Sequence, residues 1–69
     1  MNNKSLGNHI SARRAELGIR QADLAELAGV STHTLSNIES DKGNPQWQTV
    51  VAILEILGLR IVLEPGSTQ

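Results

Sequence analysis

The chain of 69 residues and 7.4 kDa is long enough for one small domain and too short for a multidomain enzyme. Hydrophobic residues make up 39% and charged residues 19%, with six lysines and arginines against seven aspartates and glutamates, which is typical of a folded globular chain. Cysteine is absent, which excludes disulfides and thiolate chemistry, and no apolar run approaches the roughly 18 residues that a membrane helix needs.

The first predicted helix begins after Ser5, a good N-cap residue, and ends at Gly18. Its inner stripe contains Leu6, Ile10 and Leu17. Arg14 falls on the same stripe, where an apolar residue is expected. Because a partly buried guanidinium requires a partner, an acid should face Arg14 from another element.

The second predicted helix covers Gln21 to Ala28 and ends at Gly29. Its inner stripe is formed by Leu24, Leu27 and Ala28. A short link follows, in which Ser31 is suited to cap the next helix.

The third predicted helix runs from Thr32 to Glu39, with Leu35 and Ile38 on its inner stripe. Glu39 lies at the inward edge of this helix, where an acid is as unexpected as Arg14 is in the first helix. Each of these two misfits resolves the other, so we predict an ion pair between Arg14 and Glu39.

The fourth predicted helix has Asn44 as N-cap and Pro45 as first helical residue, and it ends at Gly58. Its apolar residues cover more than one face, so packing on one side leaves apolar surface on another. Trp47, the sole aromatic residue, is expected in core or interface packing rather than in base stacking. A second chain is the expected cover.

Residues 59–64 alternate in the manner of a strand, yet no other segment of the chain resembles a strand. The backbone groups of this segment would be satisfied by the same segment of a second subunit, antiparallel across a two-fold axis. The expected dimer contacts are Leu59, Ile61, Val62 and Leu63. We therefore divide the chain into a helical domain at 1–58, a dimerising strand at 59–64 and a flexible tail at 65–69.

Two short helices joined by a turn containing glycine form a helix-turn-helix unit, whose second helix enters the major groove of DNA. The run from Gln21 to Ser31, followed by Leu35 to Glu39, resembles the Cro/CI-type (XRE) repressors. The resemblance implies an all-α, lambda-repressor-like bundle of four helices, with an arginine–glutamate pair of the kind inferred above. Many members carry a fifth helix where this chain has its predicted strand. Four helices followed by a dimerising strand are instead similar to the layout of HipB-type antitoxins. Such antitoxins repress their own operons and hold a kinase toxin, so the partners implied are an operator and a HipA-like kinase.

The outward face of the third helix is polar and carries no carboxylate. Its members at the expected base-contact positions are Thr32, His33, Ser36 and Asn37, and Ser40 extends the same face. Asn37 can pair with adenine, His33 can donate to guanine N7 or a phosphate, and Thr32 can touch a thymine methyl. The alternative is an ordinary solvated face.

Contacts to the DNA backbone are expected from six residues around this helix: Arg20, Gln21, Ser31, Lys42, Gly43 and Asn44. The start of the second helix favours a phosphate oxygen, and the resemblance assigns such a contact to Gln21. The loop after the third helix is either a backbone contact or an ordinary turn. Arg13 is either a solvated charge or a phosphate contact.

Charge is the main objection to DNA binding. Five bases and five acids precede residue 43, so this region is neutral and non-specific binding should be weak. The two histidines are far apart and the carboxylates are single, so we find no metal site, no nucleophile–base pair and no cofactor site, and we expect no catalysis. A location in the cytoplasm is expected, since the amino terminus lacks the features of a secretory signal.

The sequence thus predicts a homodimeric repressor that binds an inverted-repeat operator, with an autorepressing antitoxin as its most specific form. Two alternatives remain open. One is a stand-alone regulator of the phage or restriction-modification controller kind. The other is a protein-interaction module that uses the helix-turn-helix only as a scaffold.

Overall fold

The computed structural model describes residues 5–66, and this part of the chain contains four α-helices. They are α1 (Leu6–Leu17), α2 (Gln21–Ala28), α3 (Thr32–Glu39) and α4 (Trp47–Leu57). The predicted bounds of the first three helices are confirmed. The start of the predicted domain, at 1–4, and the end of the predicted tail, at 67–69, lie outside the described residues.

Local hydrogen bonds mark the starts of α1 and α3 and the ends of α1, α2 and α4. The Oγ atom of Ser5 accepts from the N–H of Asn8 at 3.2 Å, and Ser31 caps α3 in the same way through the N–H of Thr34 at 3.0 Å. A glycine with positive φ follows α1, α2 and α4, and its N–H closes the last turn of each helix.

The predicted start of the fourth helix is wrong. Its N-cap is Gln46, whose backbone is extended (φ −69°, ψ 142°), and Asn44 and Pro45 belong to the preceding loop. The φ angle that proline imposes suits extended backbone as well as a first helical turn, so Pro45 alone does not fix the start of a helix.

The core lies where all four helices meet. Its buried side chains are Ile10, Leu24, Ala25, Leu35, Ile38, Val50, Ile53, Leu54 and Leu57. Three leucines predicted to face inward are instead exposed: Leu6 by 37%, Leu17 by 44% and Leu27 by 65%. Leu6 and Leu17 are the first and last residues of α1. Successive residues of a helix are about 100° apart around its axis. The buried face of α2 is centred between Leu24 and Ala25, so Leu27 lies to one side of that face and points away from the core.

The start of α1 touches the end of α3 backbone to backbone at Gly7. A Cβ atom on Gly7 would lie 2.4 Å from the carbonyl oxygen of Glu39 and 2.6 Å from that of Ile38. The N–H of Gly7 donates to Oδ1 of Asp41 at 3.0 Å, so a residue just past α3 caps the first turn of α1. Only a residue without a side chain fits this crossing.

The predicted strand over residues 59–64 is not formed, and no strand occurs within residues 5–66. A strand requires a hydrogen-bonded neighbour, and the single chain has none to offer. Leu59 packs half-buried against the core, while Ile61, Val62 and Leu63 are exposed by 43%, 66% and 90%. Trp47 is also 64% exposed, so it is not a core residue, and of the two packing roles predicted for it only interface packing is compatible with this exposure.

Candidate nucleic-acid interface

The helices α2 and α3 are joined by the link Gly29–Val30–Ser31, and they pack through buried Ala25 and Leu35. The N–H of Val30 donates to the carbonyl of Ala25 at 2.9 Å, which closes the turn tightly. This packing leaves the opposite side of α3 facing away from the core. The arrangement is the two-helix unit that the sequence predicts.

The predicted ion pair between Arg14 and Glu39 is confirmed, and it is bidentate. Nε of Arg14 lies 2.8 Å from Oε2 of Glu39, and Nη2 lies 3.1 Å from Oε1. The third guanidinium nitrogen donates to the carbonyl of Ile19 at 3.0 Å. The side chains are 21% and 7% exposed, and the hydrogen bond to Glu39 raises the pKa of Arg14. Arg14 therefore stays charged and fastens the end of α3 to α1.

Gln21 is bonded to the same carboxylate, a contact that the sequence analysis missed. Its Nε2 donates to Oε1 of Glu39 at 3.1 Å, so one acid at the end of α3 is held from both α1 and α2. A carboxylate can accept about four hydrogen bonds, and Arg14 supplies two of those that Glu39 accepts. The remaining acceptor positions of Glu39 are the signal in the sequence that a further donor should face it. Gln21 is expected to contact a phosphate, and its side-chain nitrogen is already engaged within the protein.

The outward face of α3 has the composition that the sequence predicts. Thr32, His33 and Ser40 are exposed, whereas Ser36 and Asn37 are half-buried. Nδ2 of Asn37 lies 3.4 Å from Nε2 of His33, one turn earlier on the helix. The two side chains thus stand together as a pair of hydrogen-bonding groups.

The loop that follows α3 lies beside Asn37. The N–H of Lys42 donates to the backbone carbonyl of Asn37 at 2.8 Å, and Gly43 adopts a positive φ of 74°. A groove of about 170 Å³ is shared between this loop and α3. It is lined by Thr34, Asn37, Ile38, Lys42, Gly43, Asn44 and Pro45. The groove therefore joins one expected base contact, Asn37, to three expected DNA-backbone contacts, Lys42, Gly43 and Asn44.

The start of α2 differs from that of α1 and α3 because no side chain caps it. Its N-cap residue, Arg20, is paired instead with exposed Asp23 through a contact of 3.1 Å, which raises the pKa of Arg20. The first amides of α2 are therefore open to an external acceptor, whereas the charge of Arg20 is partly offset.

Arg13 is not the freely solvated charge considered as one alternative from the sequence, because two of its guanidinium nitrogens are engaged within the protein. Its Nε donates to the carbonyl of Leu57 at 2.9 Å, and its Nη1 pairs with Glu16 at 3.2 Å. Arg13 thus satisfies an unpaired carbonyl at the end of α4. The spacing along the sequence carries no signal of this contact, which joins residues 44 positions apart.

Residues 5–66 offer neither a metal site nor a membrane span. No group of three or more histidine, cysteine, aspartate or glutamate residues is arranged to hold a metal ion there. None of the helices in that range is long and apolar enough to cross a membrane.

Comparison with known proteins places this geometry among regulators. The family described as "Helix-turn-helix domain" matches residues 5–64. The immunity repressor protein of Bacillus phage phi105 is 37% identical over 57 residues, which make up 83% of this chain and 40% of that protein, so the chain spans less than half the length of this relative.

Two solved structures share the fold. The P22 c2 repressor in complex with a synthetic operator superposes with a TM-score of 0.78 at 33% identity, over 84% of this chain and 88% of that one. A chain of the HipA-HipB-O2-O3 complex superposes with a TM-score of 0.78 at 27% identity, over 97% of this chain and 99% of that one.

Proposed function

The chain belongs to the helix-turn-helix domain family, among the Cro/CI-type (XRE) repressors, a non-enzymatic group, and we propose that it is a sequence-specific DNA-binding transcriptional repressor. The observation that carries this proposal is the outward face of α3, which is polar and free of carboxylates. It is held at its far end by the Arg14–Glu39–Gln21 contacts. A fixed helix with such a face suits the major groove.

Base readout is assigned to Thr32, His33, Ser36 and Asn37. Asn37 presents an amide to adenine, and His33 presents a ring nitrogen to guanine N7 or to a phosphate. No arginine lies on this face, so discrimination also depends on the shape of the groove.

Backbone anchoring is assigned to the two ends of the helix-turn-helix unit. At one end are Arg20, the open amides of α2 and Ser31, and at the other end is the loop from Lys42 to Asn44. Because the Nε2 atom of Gln21 already donates to Glu39, Gln21 contributes chiefly through its backbone amide and its side-chain oxygen.

Operator occupancy requires two copies of the chain. We assign the dimer contact to Leu59, Ile61, Val62 and Leu63, because these residues form an apolar segment whose last three members are exposed in the single chain. The two α3 helices of the dimer would then read half-sites of an inverted repeat about one helical turn apart.

The test is binding to the DNA upstream of the protein's own gene, compared with a scrambled duplex of equal length and composition. We expect a shift with the upstream DNA alone. If each subunit neutralises about three phosphates, log affinity should fall with log salt at a slope of roughly −5. Equal binding to both duplexes, or a slope near zero, would contradict the proposal.

A second and more specific candidate is an autorepressing antitoxin. It is favoured by the chain of the HipA-HipB-O2-O3 complex, because that similarity extends over 97% of this chain. A HipA-like kinase encoded beside this gene, and a stable complex on co-expression, would support this candidate. If no toxin gene lies beside this gene, the remaining candidate is a stand-alone regulator of the phage kind.

A third candidate, the protein-interaction module, is favoured by the balance of five bases and five acids before residue 43. The same DNA-shift experiment separates it from the repressor. Failure to bind any duplex, with the fold intact, would select the interaction module.

A further inference from the structure

We propose that residues 59–64 of two copies pair antiparallel with Val62 on the two-fold axis, so that Arg60 of each copy faces Glu64 of the other. This inference rests on the homodimer of the proposed function and assigns its register. It also predicts which side chain of the partner covers the exposed apolar surface beside Trp47.

The first step is the division of the segment into two faces. Leu59 packs against the core, and in the single chain Leu59, Arg60 and Ile61 all border two grooves that include Leu54. Val62 is more exposed than Ile61, at 66% against 43%. In a strand, Leu59, Ile61 and Leu63 would share the face towards the helices, and Arg60, Val62 and Glu64 would share the outer face.

The second step uses the pleat of an antiparallel pair. Residues directly opposite each other point to the same face, so a residue of the inner face must pair with a residue of the inner face. A two-fold axis that passes between two residues would place Arg60 opposite Leu63 and would break this rule. The axis must therefore pass through a residue.

The third step chooses that residue by charge. With Val62 on the axis, Arg60 lies opposite Glu64 twice, and Ile61 lies opposite Leu63 twice. An axis at Ile61 places Arg60 opposite Val62, and an axis at Arg60 places two like charges together. Opposite charges stabilise a cross-strand pair and like charges destabilise it, so the register centred on Val62 is favoured.

The same register supplies an occupant for exposed apolar surface. Leu63 is 90% exposed in the single chain. A groove of about 160 Å³ lies between Ile61 and α4, with Trp47, Val51 and Leu54 as its apolar lining and Glu55 and Arg60 as its charged lining. Because Leu63 of one copy lies opposite Ile61 of the other, the partner's Leu63 would enter this groove. The chain thereby covers its own exposed leucine and tryptophan.

The register is testable by cysteine scanning, since the chain contains no cysteine. Residues that oppose their own copy have Cα atoms about 4.5 to 5.5 Å apart, within the range of about 4.4 to 6.8 Å that a disulfide spans. Diagonal neighbours are about 7 to 8 Å apart. Under mild oxidation, V62C should therefore form the interchain disulfide much faster than I61C or L63C. Fastest cross-linking at position 61, or equal rates at all three positions, would overturn the register.

Charge reversal provides an independent test. R60E places two acids opposite each other, and E64R places two bases opposite each other, so each variant alone should dimerise roughly tenfold more weakly or worse. An equimolar mixture should recover dimerisation as a heterodimer, because both cross-strand pairs are then complementary. The reversal E26R, on the exposed side of α2, is the matched control and should dimerise normally. A mixture no better than its components would overturn the pairing.

These outcomes are distinguishable from failure of the proposed function. Sedimentation and cross-linking report the pairing without DNA, and the duplex-binding assay reports DNA recognition. Cross-linking at position 62 without DNA binding would support the register and contradict the proposed repressor function. DNA binding by a chain that never cross-links at position 62 would do the opposite.

Discussion

Glu39 is the residue on which the orientation of α3 depends. It accepts hydrogen bonds from Arg14 on α1 and from Gln21 at the start of α2, and its side chain is only 7% exposed. The raised pKa of Arg14 means that the stabilisation is fully present below the ordinary arginine range and is lost only in stronger alkali. Across the usual working range of pH, this contact is constant.

We expect Glu39→Ala to lower the free energy of unfolding by about 2 to 4 kcal/mol, because Arg14 would lose its partner while four-fifths buried. The measurement is chemical denaturation with a melting curve. Asp23→Ala, which breaks the exposed Arg20–Asp23 pair, is the control and should scarcely change either value. An unchanged midpoint for Glu39→Ala would mean that the contact contributes nothing to stability.

Asn37→Ala tests base readout at the same scale. Loss of a base contact should cost about 1 to 3 kcal/mol of operator affinity and relax preference at one base pair. Affinities for operators changed singly at each position would show this pattern. The control Asn8→Ala removes the same amide from an exposed position on α1 and should bind normally. Uniform weakening across all sequences would instead assign Asn37 to the backbone.

At the scale of the elements, local sequence signals determined most of the outcome. Ser5, Ser31 and the three terminal glycines mark helix ends through bonds within a few residues, so those bounds were predictable. The Arg14–Glu39 pair was predictable because two misfits on inward stripes required each other.

The contacts that the sequence did not reveal are those set by tertiary placement. The bond from Arg13 to the carbonyl of Leu57 depends on where α1 meets α4, and no periodicity records it. The same is true of Gln21, whose partner is decided by the angle between α2 and α3. The start of α4 was mispredicted because Pro45 is compatible with two backbone conformations.

Gly7→Ala tests the crossing of α1 and α3. The added methyl group would meet backbone oxygens at 2.4 and 2.6 Å, and backbone cannot rotate aside as a side chain can. We expect a loss of about 1 to 3 kcal/mol in the free energy of unfolding, measured by denaturant titration. Gly66→Ala, where no atom lies within 4 Å of the new methyl, is the control. Equal stability of the two variants would show that α1 shifts freely.

At the scale of the whole molecule, one set of apolar side chains is buried in the core and another set is exposed. Besides the three exposed leucines of α1 and α2, the large apolar side chains exposed within residues 5–66 are Trp47 at the start of α4 and Ile61, Val62 and Leu63 in the segment after α4. A chain of this length buries only about 60% of its unfolded surface, so a second copy would add substantially to its stability.

Deleting residues 60–69 should convert the dimer to a monomer while leaving Leu59 on the core. Operator affinity should fall, because each monomer reaches one half-site. Sedimentation gives the mass, and the emission of Trp47 should lie at longer wavelength than in the intact chain. Deleting only residues 65–69 is the control. A dimer that survives the longer deletion would place the interface elsewhere.

The hydrogen bond from Arg13 to the carbonyl of Leu57 has a consequence for how α1 folds onto the domain. Within α1, all of which the structure describes, Ile10 is the one large side chain that is fully buried, and the remaining attachments are to Glu39, Asp41 and Leu57. A twelve-residue helix is marginal on its own in water. Because those attachments lie on α3, just after it and on α4, α1 docks fully only when both of those helices are in place.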